Sequence, residues 1–125
     1  MTTQPFPHNN IGYLCTDWQV ERGLGAKTAL KLIDKDEILS EFSFAQLTEL
    51  SNQAANLLAS LGFQKDDRIM LFLSKTIEMY AFFLGALKLG LVSSILFNSI
   101  GEDSIIERIK DTETKAIIST SRMNF

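Results

Sequence analysis

The sequence predicts an α/β fold in which an open, mostly parallel sheet is flanked by helices. Over residues 68–120, short apolar runs alternate with segments of helical spacing, which is the order expected of parallel strands joined by crossover helices. The run at residues 68–73 is continuous, as in a strand that is covered on both faces. The chain has 125 residues, of which 46% are hydrophobic and 22% charged, so we expect one folded domain over residues 1–125.

The first predicted element is an amphipathic helix that Asn10 caps and that ends near Gly23. Its apolar residues recur at the i, i+3, i+4, i+7 spacing of one helical face: Ile11, Leu14, Cys15 and Trp18. Because Cys15 falls on this face, we expect its thiol to pack in the core as a small, unreactive hydrophobe.

A small hairpin is predicted next, near residues 28–43. A short apolar run over residues 29–33 is followed by four charged residues at positions 34–37, which suit a turn. The chain then returns through a second run over residues 38–42.

A long helix follows the hairpin. Ser43 and Gln46 have the spacing of a capping box, in which the serine hydroxyl and the glutamine side chain each bond a free backbone amide. Apolar residues then recur at helical spacing: Leu47, Leu50, Ala54, Leu57, Leu58 and Leu61. Gly62 is positioned to end the helix.

The remaining residues predict two consecutive strand–helix–strand units. In the first, residues 68–73 form a central parallel strand, residues 76–89 form a helix too apolar for a surface position, and residues 91–97 form another buried strand. In the second, a helix begins with acidic residues at 102 and 103, and residues 115–120 return as a strand. The predicted buried face of this last helix consists of Ile105, Ile106 and Ile109.

Charge and residue counts exclude several functional classes. The 12 basic and 15 acidic residues give a net charge of -3, which argues against nucleic-acid binding because a binder needs a basic excess. Cys15 and His8 are the only residues of their types, so an internal disulfide is impossible and a structural metal site lacks ligands. Residues 1–10 do not resemble a secretory signal, and the apolar run at 79–92 is too short to span a bilayer. We therefore expect a reducing, cytoplasmic location.

Two short motifs resemble ligand sites but have simpler explanations. Residues 23–28 suggest a phosphate-binding loop, yet Ala26 precedes Lys27 where that motif requires glycine, and no buried strand comes before it. We expect a helix end followed by a strand start. Asp66 and Asp67 could form an acidic metal pocket, but they lie before their strand, and ligands of such sheets collect after the strands. A solvated turn is the favoured interpretation.

The other chemically capable residues also lack partners in the sequence. His8 has no acid or nucleophile near it to orient an imidazole. Arg108, Lys110 and Arg122 could meet an anionic ligand, but charges on a helix exterior are usually only solvated. From the residues alone we therefore predict no catalytic, cofactor-binding or metal-binding residue, and no function.

Several segments, taken in order, resemble the beginning of the adenylate-forming acyl-CoA synthetases, and most closely the acetyl-CoA synthetases. They are residues 9–17, 28–34, 42–47, 52–58, 62–69, 78–90, 96–97, 106–111 and 115–118. Each segment alone is weak, but their common order and spacing are hard to reach by accident. Two positions depart from the family: Asp66 stands where glycine is usual, and Ile95 where proline is usual.

The resemblance implies an acid–thiol ligase of fatty acid metabolism that uses ATP, Mg²⁺ and coenzyme A. Such an enzyme makes an acyl-adenylate from a carboxylic acid and passes the acyl group to the thiol of coenzyme A. The family's phosphate loop, adenine-binding motif, ribose-binding aspartate and carboxy-terminal lysine have no counterpart before Phe125. The loop at 98–101 lies where acetyl-CoA synthetases approach coenzyme A, but Asn98 and Ser99 replace the glycines used there.

The resemblance therefore implies that residues 1–125 are the amino-terminal scaffold of a synthetase, and that the adenylation core and the carboxy-terminal domain are absent from them. We expect this part alone to bind no cofactor and to be inactive, with the remainder of its own chain as its partner. A stand-alone interaction module of the same fold is the alternative. A third interpretation, an unrelated flavodoxin-like or receiver-like domain, needs an acid or a phosphate loop after a strand, and the sequence has neither.

Overall fold

The computed structural model describes residues 9–96 and 99–120, and over these ranges it shows an α/β fold with two sheets. The helices and strands are, in chain order, α1 (Ile11–Leu14), α2 (Asp17–Gln19), a π-helical turn (Val20–Leu24), β1 (Thr28–Ile33), β2 (Leu39–Ser43), α3 (Phe44–Ser60), β3 (Arg68–Phe72), α4 (Ile77–Leu89), β4 (Val92–Ile95), α5 (Glu102–Thr112) and β5 (Ala116–Ser119). This confirms the predicted fold class and the order of its elements from β1 onward.

The amino-terminal helix is capped as predicted, but it is broken where the sequence predicts one continuous helix. The Asn10 side chain accepts a hydrogen bond from the Tyr13 amide at 3.1 Å. At Thr16 the backbone leaves helical geometry, with φ −130° and ψ −87°, and the fully buried hydroxyl donates to the Gly12 carbonyl at 2.7 Å. Helix α1 packs its Gly12 face against α4, so Ile11 and Cys15 are exposed and the predicted core position of Cys15 is wrong.

The predicted hairpin is confirmed near residues 28–43. β1 and β2 pair in antiparallel register from Thr28 opposite Ser43 to Ile33 opposite Leu39. The Asp34 carboxylate stabilises the connecting turn, because one of its oxygens accepts from the Asp36 amide at 2.8 Å and from the amide two residues further on at 2.9 Å.

Helix α3 begins with the predicted capping box. The Gln46 amide donates to the Ser43 hydroxyl at 3.1 Å, and the Ser43 amide donates to the Gln46 side chain at 2.9 Å. The helix ends at the cap residue Leu61, and Gly62 follows with φ 92°, a left-handed conformation that glycine adopts without strain.

Only part of the apolar sequence of α3 faces the core. The buried stripe is Leu47, Ser51, Ala54 and Leu58. Leu57 is 47% exposed and Leu61 is exposed as well, so their predicted place on the buried face is wrong. A 100° helical step separates the Leu57 and Leu58 side chains, and only Leu58 points toward the sheet.

The larger sheet is parallel and has the order β4-β3-β5, which confirms the predicted central strand. Alternate residues of β3 enter two clusters on opposite faces. Ile69 and Leu71 pack with Leu58, Ala86 and Leu91 on the side of α3 and α4. Met70 and Phe72 pack with Leu96 and Ile105, on the side of α5.

Two expectations about burial beside this sheet are wrong. The sequence predicts a buried strand at 91–97, but β4 pairs only with β3 among the described strands. As an edge strand it leaves Val92 50% exposed; residue 97 lies outside the described residues. Helix α5 buries Ile105 and half-buries Ile109, whereas Ile106 is exposed because the helix contacts the sheet along a narrow i, i+4 stripe.

Candidate functional site

A cavity of about 610 Å³ lies beyond the carboxyl ends of β3 and β4. Its walls are formed by Leu73, Lys75, Met79, Tyr80, Ile95, Leu96 and Ser99. This is the position at which open α/β sheets bind their ligands, because the strand ends and the following loops form a crevice there. The fold itself therefore places a candidate binding site at this edge.

The side chains of this cavity suit binding better than catalysis. Leu73, Met79 and Leu96 give it a buried apolar floor, and the Lys75 ammonium contributes one exposed positive charge. The lining residues include no histidine, cysteine, aspartate or glutamate, the commonest groups of nucleophilic and acid–base catalysis. Among the described residues, no group of three or more His, Cys, Asp and Glu side chains could hold a metal ion.

A second polar centre surrounds Lys88, where α2, α3 and α4 meet. The Lys88 side chain is only 10% exposed, and its ammonium lies 2.8 Å from Asp17 Oδ2. It also donates to Ser51 Oγ at 2.8 Å and to Asn52 Oδ1 at 2.7 Å. All three ammonium protons therefore have acceptors, which is the condition under which a nearly buried charge is tolerated.

The amino-terminal segment supplies the acid of this centre and also caps α4. The Asn10 side-chain amide donates to the Leu87 carbonyl at 2.9 Å and to the Lys88 carbonyl at 3.1 Å. These carbonyls belong to the last turn of α4, where the helix has no further backbone amides to donate to them. Gly12 lies so close to α4 that an added Cβ would be 2.9 Å from the Lys88 amide nitrogen.

The sequence reasoning missed this centre. In the sequence, Lys88 only interrupts the apolar run at 79–92, and its partners Asp17 and Asn52 lie 71 and 36 residues earlier. A single cation in an otherwise apolar helix is the signal that could have indicated a buried ion pair, because such a charge is rarely buried alone.

Opposing effects act on the pKa of Asp17. Burial of the carboxyl raises it, but hydrogen bonds from Lys88, Asn52 and Thr16, together with the charge of Lys88, outweigh burial and hold the pKa below its ordinary value. A carboxyl with a lowered folded-state pKa stabilises the fold above its unfolded-state pKa. This stabilisation is lost as pH falls through the folded-state value.

We predict that Asp17→Asn changes the pH dependence of stability in the acid range. Above about pH 5 the variant should be less stable than the wild type by roughly 1–3 kcal/mol, because Lys88 loses its counter-ion. Below about pH 4 the difference should shrink, since the carboxyl of the unfolded wild-type chain binds a proton there before that of the folded chain does. Urea unfolding of the wild type and of the variant between pH 3 and pH 7 measures how the free energy of unfolding of each depends on pH. A difference that stays constant down to pH 3 contradicts the assigned role of Asp17.

The two motifs that resemble ligand sites, residues 23–28 and the Asp66–Asp67 pair, take the simpler structures that the sequence predicts. Gly23 has φ 90° inside the π-helical turn, and the Lys27 amide bonds the Leu24 carbonyl just before β1 begins. Asp67 lies in a turn, where its carboxylate accepts from the Gln64 amide at 2.7 Å and from Lys115 at 3.1 Å. Both bonds lower the pKa of Asp67, and the bond from the Gln64 amide has the larger effect.

The remaining charged candidates are not brought together by the fold. Arg108 and Lys110 are exposed on α5, and no site is built around them among the described residues. His8 and Arg122 lie outside the described residues, so their predicted lack of a role stays a prediction. Within residues 9–96 and 99–120, no helix has the length and apolar character needed to cross a membrane.

Comparison with known proteins agrees on one family. The sequence profile described as "AMP-binding enzyme" matches residues 16–124. An acetyl-coenzyme A synthetase of Streptomyces avermitilis is 32% identical over 110 residues, which are 88% of this chain and 17% of the relative. An acetyl-coenzyme A synthetase of Bacillus subtilis is 31% identical over 117 residues, 91% of this chain and 20% of the relative.

Solved structures agree with the sequence relatives. An acyl-CoA synthetase of Brucella canis superposes with a TM-score of 0.82 at 27% identity, over 95% of this chain and 21% of that one. The N-terminal domain of FACL13 from Mycobacterium tuberculosis superposes with a TM-score of 0.74 at 24% identity, over 91% of this chain and 27% of that one, and supports the fold alone. The chain therefore spans about a fifth of the length of the first three of these proteins.

Proposed function

The chain belongs to the AMP-binding enzyme family, and on that basis we propose that it is the amino-terminal scaffold of an AMP-forming acyl-CoA synthetase. The observation that carries the proposal is the match to acetyl-coenzyme A synthetases over nearly nine-tenths of this chain, at 32% identity in one relative. The complete enzyme would join a carboxylic acid, with acetate or propionate as the first choices, to coenzyme A at the expense of ATP. We also propose a cytoplasmic location, because the chain has one cysteine and cannot form an internal disulfide.

In this proposal, residues 1–125 form one structural domain that supports the rest of the enzyme and contributes no catalytic residue. Strand β3 is buried on both faces, so the loop that follows its carboxyl end starts from a rigid base. The cavity beside Lys75 opens at this end and would face the rest of the enzyme. In this proposal, ATP, Mg²⁺ and coenzyme A would be held by residues outside this chain.

The test is acid-dependent exchange of pyrophosphate into ATP. We expect the protein encoded by the full open reading frame to catalyse this exchange with acetate or propionate and to show background exchange without an acid. The purified 125-residue chain should show only background exchange with any acid. Exchange by this chain alone would contradict the scaffold role. Acid-independent or absent exchange by the full protein would contradict the synthetase proposal.

The alternative, a stand-alone interaction module, differs from the synthetase in where its open reading frame ends. An open reading frame that continues into a Ser/Thr/Gly-rich phosphate loop supports the synthetase. A native stop codon directly after Phe125 supports the module, which needs no active site. Sequencing the transcript across this codon separates the two before any assay is run.

A further inference from the structure

The amino-terminal strap, which we define as residues 10–24, carries little of the hydrophobic core. Its only buried residues are Gly12 and Thr16, and neither has a large apolar side chain. Ile11 is 55% exposed, and the side chain of Cys15 is also exposed. Segments with few buried apolar contacts open at low free-energy cost compared with the core of a domain.

The strap is attached to the rest of the domain largely through polar contacts. Asp17 pairs with Lys88 at 2.8 Å and accepts from the Asn52 side chain at 3.3 Å. Asn10 donates to two carbonyls at the end of α4. The ion pair is the strongest contact in this set. Charge-assisted hydrogen bonds are stronger than neutral ones, and Lys88 is largely removed from water.

Contacts inside the strap give it a structure of its own. The Tyr13 hydroxyl donates to the Glu21 carboxylate, and this bond together with the nearby negative charge raises the pKa of Tyr13 to about 12. The Arg22 guanidinium lies over the Trp18 ring, 4.7 Å from its centre. A segment with such internal contacts can move as one body when its outer contacts break.

The strap also forms one wall of a groove of about 530 Å³. Ile11, Leu14 and Trp18 line the strap side of this groove, and apolar residues of β1 and α3 line the other. Because the groove separates the two walls, the strap lacks dense packing against β1 and the start of α3, and its close approach to the body is at Gly12 against α4. Outward movement of the strap would widen the groove without disturbing β3.

We propose that residues 10–24 open and close as a unit while the parallel sheet stays folded, and that the Lys88–Asp17 pair is the latch that holds the strap closed. Ser51 and Asn52 of α3 hold the Lys88 side chain in place, so Lys88 stays with α3 and α4 when the strap opens. The proposal concerns the conformation of this chain and does not depend on the proposed enzymatic activity.

Amide hydrogen exchange of the purified protein under native conditions tests the proposal. Lys88→Met removes the latch charge and keeps the length of the side chain. Strap amides should then exchange about tenfold to a hundredfold faster, the range expected for losing a charge-assisted contact. The strap should open at a lower free energy than β3 in the wild type, and it should remain the first segment to open in Lys88→Met, because global unfolding also loses the ion pair. Lys115→Met is the matched control, because Lys115 also pairs with an aspartate but is 57% exposed; it should leave strap exchange unchanged.

Two further variants keep the test decisive if Lys88→Met folds poorly. Asp17→Asn removes the charge from the strap side, and Gly12→Ala pushes the strap from α4 through a Cβ only 2.8 Å from the Leu84 carbonyl oxygen. Both should accelerate strap exchange and leave the strap as the first segment to open. Equal opening free energies for the strap and for β3 in the wild type would show that the strap does not open by itself. Unchanged strap exchange in the charge variants would show that the ion pair is not the latch.

Discussion

Replacing Gly85 with valine is expected to lower the free energy of unfolding by about 3 kcal/mol, because α3 and α4 touch at this glycine. A Cβ at position 85 would be 2.7 Å from the Ser51 carbonyl oxygen and 2.8 Å from the Ala55 amide nitrogen. Both atoms are backbone atoms of α3, so no side-chain rotation relieves the contact. The two helices must move apart, and the cluster around Leu58 and Ala86 must loosen with them.

Gly85→Ala separates helix propensity from packing. Alanine is favoured over glycine in a helix interior by about 1 kcal/mol, so a stabilised variant would show that the helices are not in close contact at this position. We expect a loss of about 1–2 kcal/mol instead, because overpacking outweighs propensity. Gly101→Ala is the control: its Cβ would meet nothing within 4 Å, and its φ of −78° suits any residue. Chemical denaturation of the three variants measures all of these changes.

The parts of the fold that could be predicted from the sequence are those set by local chemistry. The capping box at Ser43 and the left-handed glycines at Gly62 and Gly90 fix the ends of α3 and α4 through groups only a few residues apart. Strand β3 was also predictable, because a continuous apolar run has no solvent-facing side and must be covered on both faces.

Burial was harder to predict because it depends on which neighbour covers a surface. Helix α3 has leucines on more than one stripe, and the sequence does not say which stripe meets the sheet. Strand β4 was predicted to be buried, but it lies at an edge among the described strands. The break at Thr16 arises from a buried hydroxyl bonding Gly12, a contact that helical periodicity does not encode.

The candidate site, like the fold, could be predicted from the sequence only in part. The crevice after β3 and β4 follows from the α/β order, because carboxyl ends of parallel strands form such crevices. The Lys88 centre joins α2, α3 and α4 over long sequence separations, and a single sequence shows the cation in an apolar helix but not which residues pair with it. The two motifs that resemble ligand sites take the local structures expected of them, a helix end before β1 and a turn before β3.

The other large effect is expected at Leu58, whose neighbour Leu57 provides a matched comparison. Leu58 is 1% exposed in the cluster beneath β3, so Leu58→Ala should lower the free energy of unfolding by about 2–5 kcal/mol through lost burial and a cavity. Leu57 occupies the same helix and is 47% exposed. Leu57→Ala should therefore lower it by less than about 1 kcal/mol. Urea denaturation of both variants checks the difference.

The same pair of variants also bears on what covers the outer side of α3. Leu57 lines a groove of about 260 Å³ between α3 and α4, and a larger protein that packs against this groove would remove its side chain from water. Leu57→Ala would then cost roughly 1–3 kcal/mol in the full-length protein but little in this chain. Leu58→Ala should cost the same in both, because its surroundings are complete within residues 9–96 and 99–120. Equal costs for Leu57 and Leu58 in this chain would contradict the orientation of α3.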